Sequence, residues 1–186
     1  MGVGAPTGAR RMGAGGAPPS RRARMAPPSG GGLARGGALL VGAGYLVAGL
    51  IGFIATGFTG FVADTEEQFL GFFDVNIFHN IVHLAIGAGL LLASRVRDVT
   101  VTQGVLIGVG LFYILAALLG FLDELQIISI NWGLSFDNFF HLATGLLAFL
   151  LGVIAARQQD RALASAPPTG PDGGPLPIEE RRGMWA

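Results

Sequence analysis

The residues able to do chemistry in this chain are few, and their spacing is regular. There are three histidines in all. His79 and His83 stand four apart, which puts both rings on one face of a helix. Asp137 and His141 repeat that spacing, and Asn80 and Asn138 each follow the first member of a pair. Three imidazoles and a carboxylate (His79, His83, His141 and Asp137) form an acceptable tetrahedral set for zinc or another divalent metal, with the two amides as outer partners. A second use is purely structural. Ionisable groups in a bilayer are costly and pair with one another in a bundle interior, so the six residues would tie helices together. A third is haem held between His83 and His141, but a bare pair says little about a cofactor. The apolar stretches supply no second pair and no basic residue for a propionate. Transport would need a continuous polar path, and only one polar layer is present. No catalytic residue is assigned.

Four stretches must position these groups. A hydrocarbon core about 30 Å thick needs about 20 apolar residues in a helix. Residues 38–58, 78–94, 101–122 and 138–156 come close, and none of them contains Arg or Glu. Hydrophobic residues make up 51% of the chain and charged residues 13%. That is about half the charge of a soluble domain. Mean hydropathy is +0.58. The expected fold is an all-α membrane protein with four transmembrane helices, the polar layer lying within two turns of one end of the bundle. Span one is too long, and too far from the start of the chain, for a cleaved signal peptide. Ser20-Arg21-Arg22 resembles a twin-arginine signal, but Arg24 stands where such signals are apolar.

Composition removes several function classes. With no Cys, a disulfide scaffold, an iron–sulfur site, c-type haem and a thiol nucleophile are excluded. All 12 basic residues are Arg, so lysine Schiff-base and phosphate-loop lysine chemistry are excluded too. A pI near 6.8 does not suit a nucleic-acid binder. Residues 1–37 and 157–186 are rich in Gly, Ala, Pro and Arg and cannot bury enough surface to order themselves, so both are expected to be disordered tails. Their Gly runs do not sit between a strand and a helix and are not phosphate cradles.

Arginine placement sets the topology. Arg10, Arg11, Arg21, Arg22, Arg24 and Arg35 precede span one, Arg95 and Arg97 follow span two, and Arg157, Arg161, Arg181 and Arg182 follow span four. The other two loops carry only acids: Asp64, Glu66, Glu67 and Asp74, then Asp123, Glu124 and Asp137. The positive-inside rule therefore places both termini in the cytoplasm of a plasma-membrane protein. The N-terminal Arg residues could also touch anionic lipid, although they are spread out rather than clustered.

The chain repeats itself. Val41, Gly42, Tyr45, Ala48, Leu50, Gly52 and Phe53 match Val109, Gly110, Tyr113, Ala116, Leu118, Gly120 and Phe121. Asn80, His83, Leu84, Ala85 and Gly87 match Asn138, His141, Leu142, Ala143 and Gly145. The unit is a two-span hairpin used in tandem, giving parallel repeats about an axis along the membrane normal. Small-residue pairs suited to close helix contact recur at Ala48/Gly52, Ala85/Gly89, Gly104/Gly108 and Ala148/Gly152. The run Phe69 to Phe73 suggests a short interfacial helix or re-entrant turn, Trp132 an interfacial anchor, and Asp74, Asn76, Asn131 and Ser135 turn or cap residues.

The stretch from Phe69 through Asp74-Val75-Asn76 to His79-Asn80-Ile81-Val82-His83-Leu84, with the later echo Asp137-Asn138-Phe139-Phe140-His141-Leu142, resembles the membrane proteins grouped as domain of unknown function 4383. The resemblance covers about residues 40–156. It implies an actinobacterial source, the same fold and importance for His79, Asn80, His83, Asp137, Asn138 and His141, and it supplies no activity or substrate. The expectation is a non-enzymatic integral membrane protein. The alternatives are a metal- or haem-binding redox component and an accessory subunit of a larger complex with unknown protein partners.

Overall fold

Uncharged runs of Leu, Val, Ile, Ala and Gly can satisfy their backbone in lipid only by hydrogen-bonding within themselves, and they do so as helices. The computed structural model describes residues 30–57, 61–62, 68–69, 73–130, 133–166 and 176–183. Its long helices are α1 (Gly31–Thr56), α2 (Ile77–Arg95), α3 (Val99–Phe121) and α4 (Phe136–Ala164). All four are long and apolar enough to cross a membrane. Even the shortest, with 19 residues, spans about 28 Å at 1.5 Å per residue. Leu40, Ile54, Leu92 and Leu150 are among many large apolar side chains left on the outside, at 70%, 82%, 69% and 51% exposure. A soluble monomer seldom shows so large an apolar surface. The chain is a multi-pass membrane protein.

Helix boundaries differ from the composition-based ones. Helix α1 begins at Gly31 rather than residue 38, because Ala34, Gly37 and Ala38 are buried in the bundle with Leu106 and Ala155. Helix α4 runs on to Ala164 rather than stopping at 156, and a six-residue helix, α5 (Ile178–Gly183), follows within the expected C-terminal tail. Residues 1–29 lie outside the described residues, as do Asn131, Trp132 and residues 167–175, so the remaining expectations for the two tails and for the Trp132 anchor concern segments not described.

Helix α1 packs along α2, and α3 along α4, as two hairpins. Close approach at glycine sets each pair. A methyl on Gly87 would stand 2.8 Å from the Gly42 carbonyl oxygen, and one on Gly145 would stand 3.0 Å from that of Gly110. Neither contact tolerates a Cβ, so the backbones meet directly. The Gly104/Gly108 pair does not work this way. Both residues, like Gly89, have open space where a methyl would go, so that spacing faces outward and not a neighbouring helix. The core joins Val41, Tyr45, Leu90, Leu106, Tyr113 and Ala148 from all four helices.

Local signals explain the helix starts. Asn76 caps α2 by accepting from the His79 amide at 2.8 Å, and Asp98 caps α3 by accepting from Thr100 at 2.9 Å. Ser135 stands at the cap position of α4 without making that bond. The segment before α2 is not helical where it is described. Gln68–Phe69 (β1) pairs antiparallel with Phe73–Asp74 (β2), so the expected short interfacial helix or re-entrant turn is extended at both described ends, and residues 70–72 between them lie outside the described residues. After α3 the chain makes a 3-10 turn at Gln126–Ile128, and Asn76 donates to the Ile127 carbonyl at 3.1 Å, tying this loop to the start of α2.

Candidate metal centre

The first two turns of α2 carry His79, Asn80 and His83, and those of α4 carry Asp137, Asn138 and His141. All six side chains are buried, at 7% exposure or less. The helices thus turn every one of them inward, although α2 and α4 belong to different hairpins.

The amides and the imidazoles are held differently. Asn80 donates to Thr56 Oγ1 at 3.2 Å, fastening α2 to the end of α1. Asn138 donates to the Gly133 carbonyl at 3.0 Å, closing the loop before α4. Each amide side chain lies against a glycine of the preceding helix, Asn80 on Gly52 and Asn138 on Gly120, where a methyl would overlap it. Gly52 and Gly120, like Asn80 and Asn138, stand at matched places in the sequence. Thr56, Gly52 and Gly120 were not singled out as partners of the layer. The matched glycines of the duplication were the available signal.

The imidazoles gather on one another. His79 Nε2 lies 3.1 Å from His83 Nε2. The His141 ring is 5.6 Å from that of His79 and 6.1 Å from that of His83, centroid to centroid. One ring nitrogen from each of the three lies within 4.8 Å of the other two. A tetrahedral ion with Zn–N bonds of about 2.0–2.1 Å holds its nitrogens about 3.4 Å apart, so a small adjustment of His141 would complete a three-coordinate set. Asp137 is buried but is not a member of that close group. His141 Nδ1 is buried without a hydrogen bond. Native interiors seldom leave such a group unmatched unless it has a use.

Two tyrosines floor the site. Tyr45 and Tyr113, at matched places in the sequence, stack at 4.6 Å and 12°. Tyr45 meets the edge of His83 at 5.1 Å, and Tyr113 lies 5.2 Å from His141. The Tyr45 hydroxyl pairs with Thr144 Oγ1 at 2.6 Å, a link between α1 and α4. Two largely apolar cavities flank the cluster. One of about 200 Å³ lies between α2 and α3, lined by Phe78, Val82, Phe112 and Ala116. The other, of about 230 Å³, lies between α1 and α4, lined by Ala48, Phe73, Asp137 and Phe140. His83 borders both.

Polar side chains are not confined to this layer, contrary to the expectation of a single depth. At the opposite end Thr102 donates to the Ala93 carbonyl at 2.7 Å, and Gln103 donates to Gln159 at 2.8 Å. Arg35 donates to the carbonyls of Val96 and Arg97 at 3.1 and 3.0 Å. Thr and Gln inside uncharged spans were the signal, and hydropathy averaging hid them.

Among known proteins, a family model described as "Domain of unknown function (DUF4383)" matches residues 35–154, nearly the whole of the four-helix bundle. The chain belongs to the DUF4383 family. The match takes in all six residues of the buried layer and α1 from Arg35 onward. No curated protein and no solved structure matches the chain.

Proposed function

We propose that this DUF4383 protein binds one transition-metal ion, zinc or copper in class, through His79, His83 and His141 at the outer end of the bundle. One observation carries the reading: three buried imidazoles from two hairpins converge within 4.8 Å. The amides of Asn76, Asn80 and Asn138 make structural ties of their own. The imidazoles instead face one another, with His79 Nε2 3.1 Å from His83 Nε2. Imidazole suits both zinc and copper. Asp137, four residues before His141, serves as an outer partner rather than a ligand.

A bare ion fits the space better than haem. A porphyrin needs a clear plane between its axial imidazoles, and His79 and Tyr113 crowd the gap between His83 and His141. The distribution of the arginines supports a reading in which the cluster lies on the outer side of the plasma membrane and both termini lie inside. The equivalent glycine and asparagine contacts support a duplicated hairpin as the scaffold.

Metal analysis of protein purified in mild detergent tests the reading. The expected result is one equivalent of zinc or copper, lost in His83→Ala and in His141→Ala while the helical circular dichroism persists. Cobalt(II) titration gives the second readout, a visible band that needs the same three residues. Protein that takes up neither native metal nor cobalt overturns the proposal, and unchanged metal content in both variants does so too.

A further inference from the structure

A shallow groove of about 290 Å³ runs along the outer face of the first hairpin, away from the histidines. Its walls are Leu46 of α1 and Ala88, Leu91 and Leu92 of α2, and it ends on Arg95 in the last turn of α2. Leu92 is 69% exposed, so the groove opens on the apolar surface that faces lipid. An acyl chain is the one molecule always available there.

The charge at its end is unspent. The Arg95 side chain is exposed and makes no ion pair or hydrogen bond among the described residues, and the same holds for the Arg97 side chain two residues on. Arg35 comes to the same turn and uses its guanidinium on the carbonyls of Val96 and Arg97. The nearest acid in sequence, Asp98, is engaged in capping α3. Arg35, Arg95 and Arg97 thus all lie at or beside the α2–α3 turn, where Asp98 is the nearest acid in sequence. A guanidinium binds phosphate oxygens through a planar fork of donors and keeps its charge at any pH of interest.

We infer that this groove is a seat for an anionic phospholipid, with one acyl chain along Leu46, Ala88, Leu91 and Leu92 and the headgroup phosphate on Arg95. The positive-inside rule needs only a count of arginines near the bilayer. A seated lipid needs the groove and the arginine together. The site is independent of the metal reading, since it lies at the opposite end of α2 from His79 and His83.

Native mass spectrometry of the full chain, with palmitoyl-oleoyl phosphatidylglycerol against phosphatidylcholine of the same chains, tests this. Phosphatidylglycerol should be retained preferentially. Arg95→Gln should weaken its binding about fivefold, the equivalent of about 1 kcal/mol for one arginine near the headgroups. Ala88→Leu, which keeps every charge but fills the groove floor, should weaken both lipids. Arg161→Gln, on the extension of α4, should leave binding unchanged. Equal retention of the two lipids by the wild type overturns the inference. So does an Arg161→Gln loss as large as that of Arg95→Gln, which would mean diffuse attraction, or undiminished binding in Ala88→Leu.

Discussion

Replacing Gly120 by Ala adds one methyl group at the point where α3 meets the Asn138 side chain. That methyl would overlap the Asn138 side-chain oxygen and come within 2.9 Å of its nitrogen. Asn138 cannot swing clear, because it is fully buried and its amide is bonded to the Gly133 carbonyl at 3.0 Å. Either the helices part or the hydrogen bond breaks. Overpacking costs about 1–3 kcal/mol. Leaving a buried amide unmatched costs about 1–3 kcal/mol. By either route the expected destabilisation is about 1–3 kcal/mol, against a gain of at most about 1 kcal/mol from removing a helical glycine that Gly104→Ala shares. Gly104→Ala is the matched control. It has nothing within 4 Å, so only the helix-propensity gain applies, and stability should hold or rise slightly. Reversible unfolding in mixed micelles, followed by circular dichroism, measures both. The double variant Gly120→Ala with Asn138→Ala removes the overlap, so the two changes should be less than additive. A Gly120→Ala protein as stable as Gly104→Ala would refute the reasoning, because the amide would then not be wedged against α3.

Gly52→Ala should behave like Gly120→Ala and loosen the Asn80–Thr56 tie, read as faster amide exchange at the end of α1. Tyr45→Phe deletes the 2.6 Å bond to Thr144 and should cost about 0.6–1.7 kcal/mol in the same unfolding assay, the range for hydrogen bonds between membrane helices. Metal occupancy should fall on acidification, because an imidazole must be unprotonated to bind an ion; release measured by equilibrium dialysis that is independent of pH would contradict imidazole ligation. The chain has no Cys, so single cysteines report topology cleanly. Glu124→Cys should react with an impermeant maleimide on intact cells and Arg97→Cys only after lysis, and the reverse pattern would invert the orientation.

Hydropathy and helix periodicity were enough for the number of spans, for the bounds of two of the four to within a few residues, and for the level at which the His, Asp and Asn groups sit. These are local properties. Hydropathy depends on composition within one window, and the depth of His79 or His141 follows from its distance to the end of its own helix. Which of these groups meet is set by how the helices pack. That His141 of α4 comes within 4.8 Å of His79 and His83 of α2 depends on how two hairpins dock. The sequence holds no face signal for this docking, because a helix that is apolar all round has no polar side to mark its exterior. The same gap explains Gly104 and Gly108, which carry the spacing of a contact motif yet face outward, while Gly42, Gly87, Gly110 and Gly145 make the contacts. It explains the early start of α1 as well. Gly31, Ala34 and Gly37 look like a tail when read by composition, and they become helix because their small side chains let α1 bury itself in the bundle beside Leu106 and Ala155.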